Sequence, residues 1–187
     1  MSSPEDTKPP AQASDGKPRL RGPQPTRPLH IVLVEPEIPP NTGNIARLAA
    51  ATCSALHLVG RLGFRIDDQA VRRAGLDYWH LVDLSVHASF DAFLAAFCVR
   101  EPEGRLFLFT AHAARSYLAA DFRAGDALVF GKESSGLSPE LVAQYTDRTV
   151  GIPTLGAVRS LNLANAASVA VYEALRQTGA LSAPFQG

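Results

Sequence analysis

The sequence predicts an α/β domain built on a mainly parallel sheet. Three observations carry that reading. Short apolar, β-branched runs recur along the chain, stretches of Ala and Leu at helical density follow most of them, and Pro-, Gly-, Asn- and Ser-containing loops separate the two. A chain of 187 residues with 46% hydrophobic and 19% charged side chains also excludes collagen-like, coiled-coil and fully disordered classes. A folded body of roughly 150 residues can bury about two thirds of the surface its unfolded chain exposes.

Each element has its own local reason. Leu29-His30-Ile31-Val32-Leu33-Val34 is a buried strand that Glu35-Pro36-Glu37-Ile38-Pro39-Pro40 cannot continue, because proline removes ladder donors. Asn41-Thr42-Gly43-Asn44 reads as a helix start, with Ile45 to Cys53 as its body. Ala55 to Val59 is a second strand, Asp67 to Ala74 a short helix, and Leu81 to Leu84 a weaker strand. Ser89 to Phe97 is helical with Asp91 near its start, and Leu106 to Thr110 and Ala127 to Phe130 are two further buried strands. Ser138 caps a helix with Pro139 at its first position. Thr149 to Ile152 is a last strand, and Asn162 to Gln177 a closing helix before Gly179. The stretch from Leu163 to Leu175 is so nearly apolar that it implies cover on most sides, hence a second subunit.

Residues 1–28 read differently. They hold half of the 14 prolines, and Met1 and Leu20 are their only large apolar side chains, so they are expected to form a disordered arm. Residues 29–179 are the folded domain and 180–187 a flexible tail. The arm has no apolar leader run, and no stretch approaches the roughly 20 apolar residues of a membrane helix. Cys53 and Cys98 stand in apolar surroundings without metal-type spacing, which points to small buried thiols in a reduced, cytoplasmic protein. Eighteen basic and eighteen acidic residues cancel, so a polyanionic partner must be met by a local patch.

Familiar ligand signatures are missing. No Gly-x-Gly-x-x-Gly follows a strand. Gly131-Lys132 imitates the end of a P-loop, but Asp126 takes the place of the leading glycine and Glu133 that of the magnesium-binding hydroxyl. The histidines His30, His57, His80, His87 and His112 lack metal-ligand spacing and read mostly as strand-end or surface residues. No metal is expected.

What remains is three loops, each after a strand. In the first, Glu35 to Arg47, a Pro-stiffened turn runs into a helix N-terminus, an environment that favours anions. Asn41 and Arg47 either face that loop's mouth or merely cap the helix and meet solvent. In the second, Phe130 to Pro139, two glycines around a Ser pair permit close backbone approach to a ligand. The third, Ile152 to Asn162, leads into the apolar helix.

Taken together, these loops resemble the three motifs of the SPOUT superfamily of knotted RNA methyltransferases. The likeness is greatest to its minimal TrmL-like members, tRNA 2′-O-methyltransferases acting at the wobble nucleotide. The resemblance spans about Leu29 to Gly179. It rests on Glu35-Pro-Glu-Ile-Pro-Pro-Asn-Thr-Gly-Asn-Ile45, Arg72-Arg-Ala-Gly-Leu-Asp-Tyr78 and Ser160-Leu-Asn-Leu163. It implies an α/β fold, a mainly parallel sheet with helices on both faces and a C-terminal trefoil knot. It also implies an S-adenosylmethionine pocket and a homodimer.

Carried over by motif, Asn41, Arg47, Glu133 and Asn162 are the catalytic set. Phe109, Thr110, Gly131, Ile152, Ser160 and Leu161 hold the cofactor, and Arg72, Arg73, Asp77 and Tyr78 face the substrate. Two positions depart from the pattern: many relatives have Gly-Pro-Glu at Gly131-Lys132-Glu133 and Ser at Ala164. The implied substrate is a splayed anticodon-loop nucleotide, cytidine or uridine, with Arg61 and Arg65 as further phosphate contacts. Arginine stays protonated, so Arg47 suits a phosphate grip and alkoxide stabilisation better than proton abstraction. The rival readings are a relative acting on another tRNA position or on ribosomal RNA, and a non-catalytic RNA-binding dimer.

Overall fold

The apolar runs become the strands of a single sheet. A computed structural model describes residues 20–64, 80–182 and 185. In it β1 (His30–Val34), β2 (Ala55–Val59), β3 (Leu84–His87), β4 (Leu106–Phe109), β5 (Ala127–Phe130) and β6 (Thr149–Val150) pair in the order β3-β2-β1-β5-β4-β6. Every pairing among them is parallel. The four α-helices among the described residues are α1 (Pro39–Thr52), α2 (Phe90–Arg100), α3 (Pro139–Gln144) and α4 (Leu163–Gln177).

Alternation within the strands sorts the core into two layers. Ile31, Leu33, Leu56, Leu58, Leu128 and Phe130 join Ile45 and Ala49 of α1 and Ala167, Ala170, Val171 and Ala174 of α4 in one cluster. Val32, Val59, Leu108 and Val129 join Phe93 and Phe97 of α2 in the other, with Leu141 and Val142 of α3 packed against it. Both faces are covered, which is why the strands read as continuous apolar runs.

Several elements differ from expectation. The first helix starts at Pro39, not Asn41, with Ile38 as an N-cap that makes no side-chain hydrogen bond. Prolines suit the first two helical positions, whose N–H groups the helix leaves unused. The third strand begins at Leu84 rather than Leu81, because its register against β2 pairs Leu56 with Leu84 and Val59 with His87. The expected helix at Asp67 to Ala74 lies outside the described residues. Helix α4 is buried along most of its surface but leaves one stripe, Asn165, Val169, Tyr172 and Arg176, exposed. Both cysteines are exposed, not buried. Cys53 is the left-handed C-cap of α1, with φ 51°, and Cys98 sits on the face of α2 opposite Phe93.

The histidines hold a surprise. His30 and His57 are buried polar side chains on adjacent strands, and His87 closes β3. His30 Nδ1 lies 2.9 Å from His57 Nε2, and His57 Nδ1 lies 3.0 Å from His87 Nε2.

Strand order decides where a ligand can sit. The chain runs outward from β1 to β2 and β3, then continues on the far side of β1, so the loops following β1 and β5 meet at the sheet's carboxyl end. Open α/β sheets bind ligands at such a switch point.

Candidate active site where three loops meet

Glu133 follows β5 and reaches back to the β1–α1 loop. Its carboxylate accepts hydrogen bonds from the Glu37 N–H at 2.8 Å, the Ile38 N–H at 3.2 Å and Asn41 Nδ2 at 2.9 Å. The Asn41 amide is thereby oriented, because its Oδ1 accepts from Asn162 Nδ2 at 2.9 Å. Asn162 in turn caps α4, its Oδ1 accepting from the N–H groups of Ala164 and Asn165. One hydrogen-bonded string therefore runs from the second loop through the first turn of α1 to the start of α4. Asn41 is buried, so its two side-chain bonds are partly shielded from bulk water.

A second set of contacts, which the sequence reading does not contain, reinforces the first. The Glu37 carboxylate accepts from the Ser134 N–H at 3.0 Å and from Ser134 Oγ at 2.9 Å, and both donors hold Glu37 below the usual carboxylate range. Lys132 Nζ pairs with Glu35 Oε2 at 2.6 Å, which lowers the Glu35 pKa and raises that of Lys132. The available signal was the pair of glutamates two residues apart in a Pro-rigid turn. Their partners come from a loop almost a hundred residues away, and sequence spacing carries no trace of that pairing.

The second loop is itself a miniature hairpin. The Lys132 N–H donates to the Gly136 carbonyl at 3.1 Å, and the Gly136 N–H donates to the Lys132 carbonyl at 2.9 Å. Gly131 has no side-chain room: a Cβ there would lie 2.1 Å from the Gly136 carbonyl carbon. The glycine is thus required by backbone approaching backbone.

The remaining predicted residues group by strand. Phe109 and Thr110 end β4, where the Thr110 N–H donates to the Val150 carbonyl at 3.0 Å and the Phe109 ring stacks on Phe130 at 4.7 Å. Gly131 follows β5 and Ile152 follows β6, so these four positions share the carboxyl edge of three adjacent strands. Ser160 and Leu161 are exposed in the loop before α4, and Arg47 is exposed on α1 two turns beyond the start of the helix. Arg72, Arg73, Asp77, Tyr78 and Arg65 lie outside the described residues.

The chemistry of this edge fits a nucleoside-like cofactor. Among the described residues, no backbone–backbone hydrogen bond holds 152–161, and within that loop Thr154 Oγ1 donates to the Val158 carbonyl at 3.3 Å. Leu155, Val158 and Leu161 are exposed on the same loop. Apolar surface beside backbone that is not committed to a sheet or helix ladder suits an adenosine group. No group of three or more His, Cys, Asp or Glu among the described residues could hold a metal ion.

Residues 28–172 match the SpoU rRNA Methylase family. The chain belongs to that family. The chain is 50% identical over 152 residues to a tRNA (cytidine(34)-2′-O)-methyltransferase of Polaromonas sp., covering 81% of this chain and 92% of the relative. It is 47% identical over 153 residues to the enzyme of the same name from Burkholderia pseudomallei, covering 81% and 96%. A solved structure described as giving insights into the 2-OH methylation of C/U34 on tRNA superposes with a TM-score of 0.76. It is 51% identical to this chain, and the match covers 81% of this chain and 96% of that one. The SpoU methyltransferase AviRb from Streptomyces viridochromogenes, solved with AdoMet, gives a TM-score of 0.71 at 28% identity and covers 81% of this chain and 60% of its own. The six-stranded parallel sheet with helices is therefore the SpoU arrangement.

Proposed function

We infer that this protein is an S-adenosylmethionine-dependent tRNA methyltransferase that methylates the ribose 2′-hydroxyl of the wobble nucleotide, cytidine or uridine, in the anticodon loop. The observation that carries the reading is the Glu133–Asn41–Asn162 string. It joins the three loops into one site in a chain that matches C34 methyltransferases over nearly their whole length.

S-adenosylmethionine, when bound, supplies an electrophilic methyl group on a sulfonium. Phe109, Thr110, Gly131, Ile152, Ser160 and Leu161 are the residues that would hold it. The protein's own tasks are alignment and management of one proton. Asn41, with both ends of its amide engaged, fixes the first turn of α1 beside the target sugar, and Glu133 braces that turn. Arg47, one permanent positive charge on the same helix, grips the neighbouring phosphate and stabilises alkoxide character, while a nearby oxygen or water takes the proton. Arg72, Arg73, Asp77 and Tyr78 form the substrate-facing segment. A homodimer and a threaded C-terminal segment accompany this reading. The exposed apolar residues Leu161, Val169 and Tyr172 support the first. A cytoplasmic location matches a tRNA substrate, and no described helix is long and apolar enough to cross a membrane.

The test is labelled methyl transfer to total tRNA from cells lacking such an enzyme, followed by mapping of the modified nucleotide. A 2′-O-methyl group at position 34 is expected. Modification elsewhere, or none, overturns the assignment. In the same assay Arg47→Lys should keep measurable activity, because a point charge still meets a phosphate; near-complete loss points to a role specific to the guanidinium's geometry.

A further inference from the structure

Three consecutive residues of the second loop each engage the first. Lys132 pairs with Glu35, Glu133 accepts from the 37–38 backbone and Asn41, and Ser134 donates twice to Glu37. The middle contact alone touches the site string. The outer two act as clasps on either side of it.

The Glu35 clasp is built into the backbone. Glu35 has φ 50°, a left-handed conformation that non-glycine residues rarely adopt and that costs of the order of 1 kcal/mol or more. Its N–H is fixed on the Val59 carbonyl at 2.8 Å. Next to it, Gly60 provides the room: a Cβ on Gly60 would lie 2.9 Å from Glu35 Cγ. The fold thus accepts strain at one residue and a glycine at another, and both choices aim the Glu35 carboxylate at Lys132. Lys132 is pinned from its own side by the two backbone bonds to Gly136. Neither side chain is buried, at 37% and 36% exposure, so the pair adds little to global stability. A contact with so little to offer the fold, set in so constrained a frame, has its use in geometry.

Building on the methyl transfer proposed above, the geometry points to Lys132 as a positioning residue. Through Glu35 it closes the mouth between the β1–α1 and β5 loops and holds Glu133 in register with Asn41. The side chain acts through Glu133 and touches neither reactant.

The experiment is a double-mutant cycle on the full chain: Lys132→Ala, Glu35→Ala and both together, with Lys132→Arg and the reversed pair Glu35→Lys/Lys132→Glu. The readouts are kcat and KM for tRNA, thermal unfolding, and calorimetric affinity for S-adenosylhomocysteine as a check on the folded site. Each single alanine variant should lower kcat about tenfold, since small misplacements in a site cost that much or more. KM should move less than about twofold, and the double variant should be no worse than either single one, because the two residues act as one unit. Lys132→Arg and the reversed pair should recover most of the rate. Unchanged kinetics in Lys132→Ala overturns the inference. So does a loss confined to KM and additive with Glu35→Ala, which makes Lys132 a plain phosphate contact. A wild-type enzyme that does not methylate tRNA refutes the functional reading instead, whatever the variants do.

Discussion

Asn41 ties two loops of the candidate site together through one amide. Its Nδ2 serves Glu133 and its Oδ1 serves Asn162, at 2.9 Å each, and the residue is 6% exposed. Replacing it by alanine removes two part-buried hydrogen bonds, to Glu133 and to Asn162, with a stability loss of about 1–3 kcal/mol. Because the lost bonds also align the turn, kcat for tRNA should fall by about two orders of magnitude. Asn41→Asp should be worse still, since it faces the Glu133 carboxylate with a second negative charge. Chemical denaturation and steady-state kinetics check both, with the exposed Asn44→Ala as a stability reference. Equal denaturation midpoints for Asn41→Ala and Asn44→Ala would show that the string is ornamental.

At the scale of elements, what could be read in advance was what the chain states locally. β1, β2, β4 and β5 are apolar runs set off by turns, and Ser138 caps its helix as expected, while Ser89 and Asn162, expected as first helical residues, are N-caps whose side chains accept from backbone N–H groups. Asn41, Glu133 and Asn162 were named from motif likeness, and their mutual hydrogen bonds required the sheet order to be known. What stayed hidden depends on partners distant in sequence: the β3 register, the Glu37–Ser134 and Glu35–Lys132 clasps, and the histidine row. That row has a direction. His30 Nε2 lies 3.5 Å from Glu101 Oε1, so the proton belongs on Nε2; His57 and His87 then each donate from Nε2 to the preceding ring's Nδ1. Burial holds all three below the ordinary histidine pKa, with His57 lowered to about 3, chiefly by desolvation. The native state therefore takes up protons at lower pH than the unfolded chain. Their stabilising effect is complete above the unfolded value of 6.5 and is lost as pH falls from there toward 3. From about pH 7 to about pH 5, His57 alone should remove about 2 kcal/mol of unfolding free energy. Glu173, Asp83 and Glu35 are lowered from carboxylate values, so their losses begin further into acid. Urea titrations across this window measure the slope, and a flat profile between those pH values would disprove a neutral buried row.

Across the whole molecule, the formal charges cancel, eighteen against eighteen, so no net field keeps two copies apart. Exposed apolar side chains near the site include Ile38 just before α1, Leu155, Val158 and Leu161 on the third loop, and Val169 and Tyr172 on the open stripe of α4. Those on and after the third loop, whose residues 152–161 have no backbone–backbone hydrogen bonds among the described residues, would gain from a second copy twice over: apolar surface would leave water and the loop would acquire a wall. In the proposed homodimer, dimerisation and completion of the candidate cofactor edge would be one event. Val169→Asp combined with Tyr172→Asp puts charge into that contact while leaving the α4 core residues Ala167, Ala170 and Val171 untouched. Sedimentation should show the wild type as a dimer at micromolar concentration and the variant as a monomer. Affinity for S-adenosylhomocysteine and the methylation rate should both fall about tenfold or more, because a half-walled site binds by mass action only when its partner is present. A monomeric variant with wild-type affinity and rate would separate the two events and leave the apolar stripe without a part in the site.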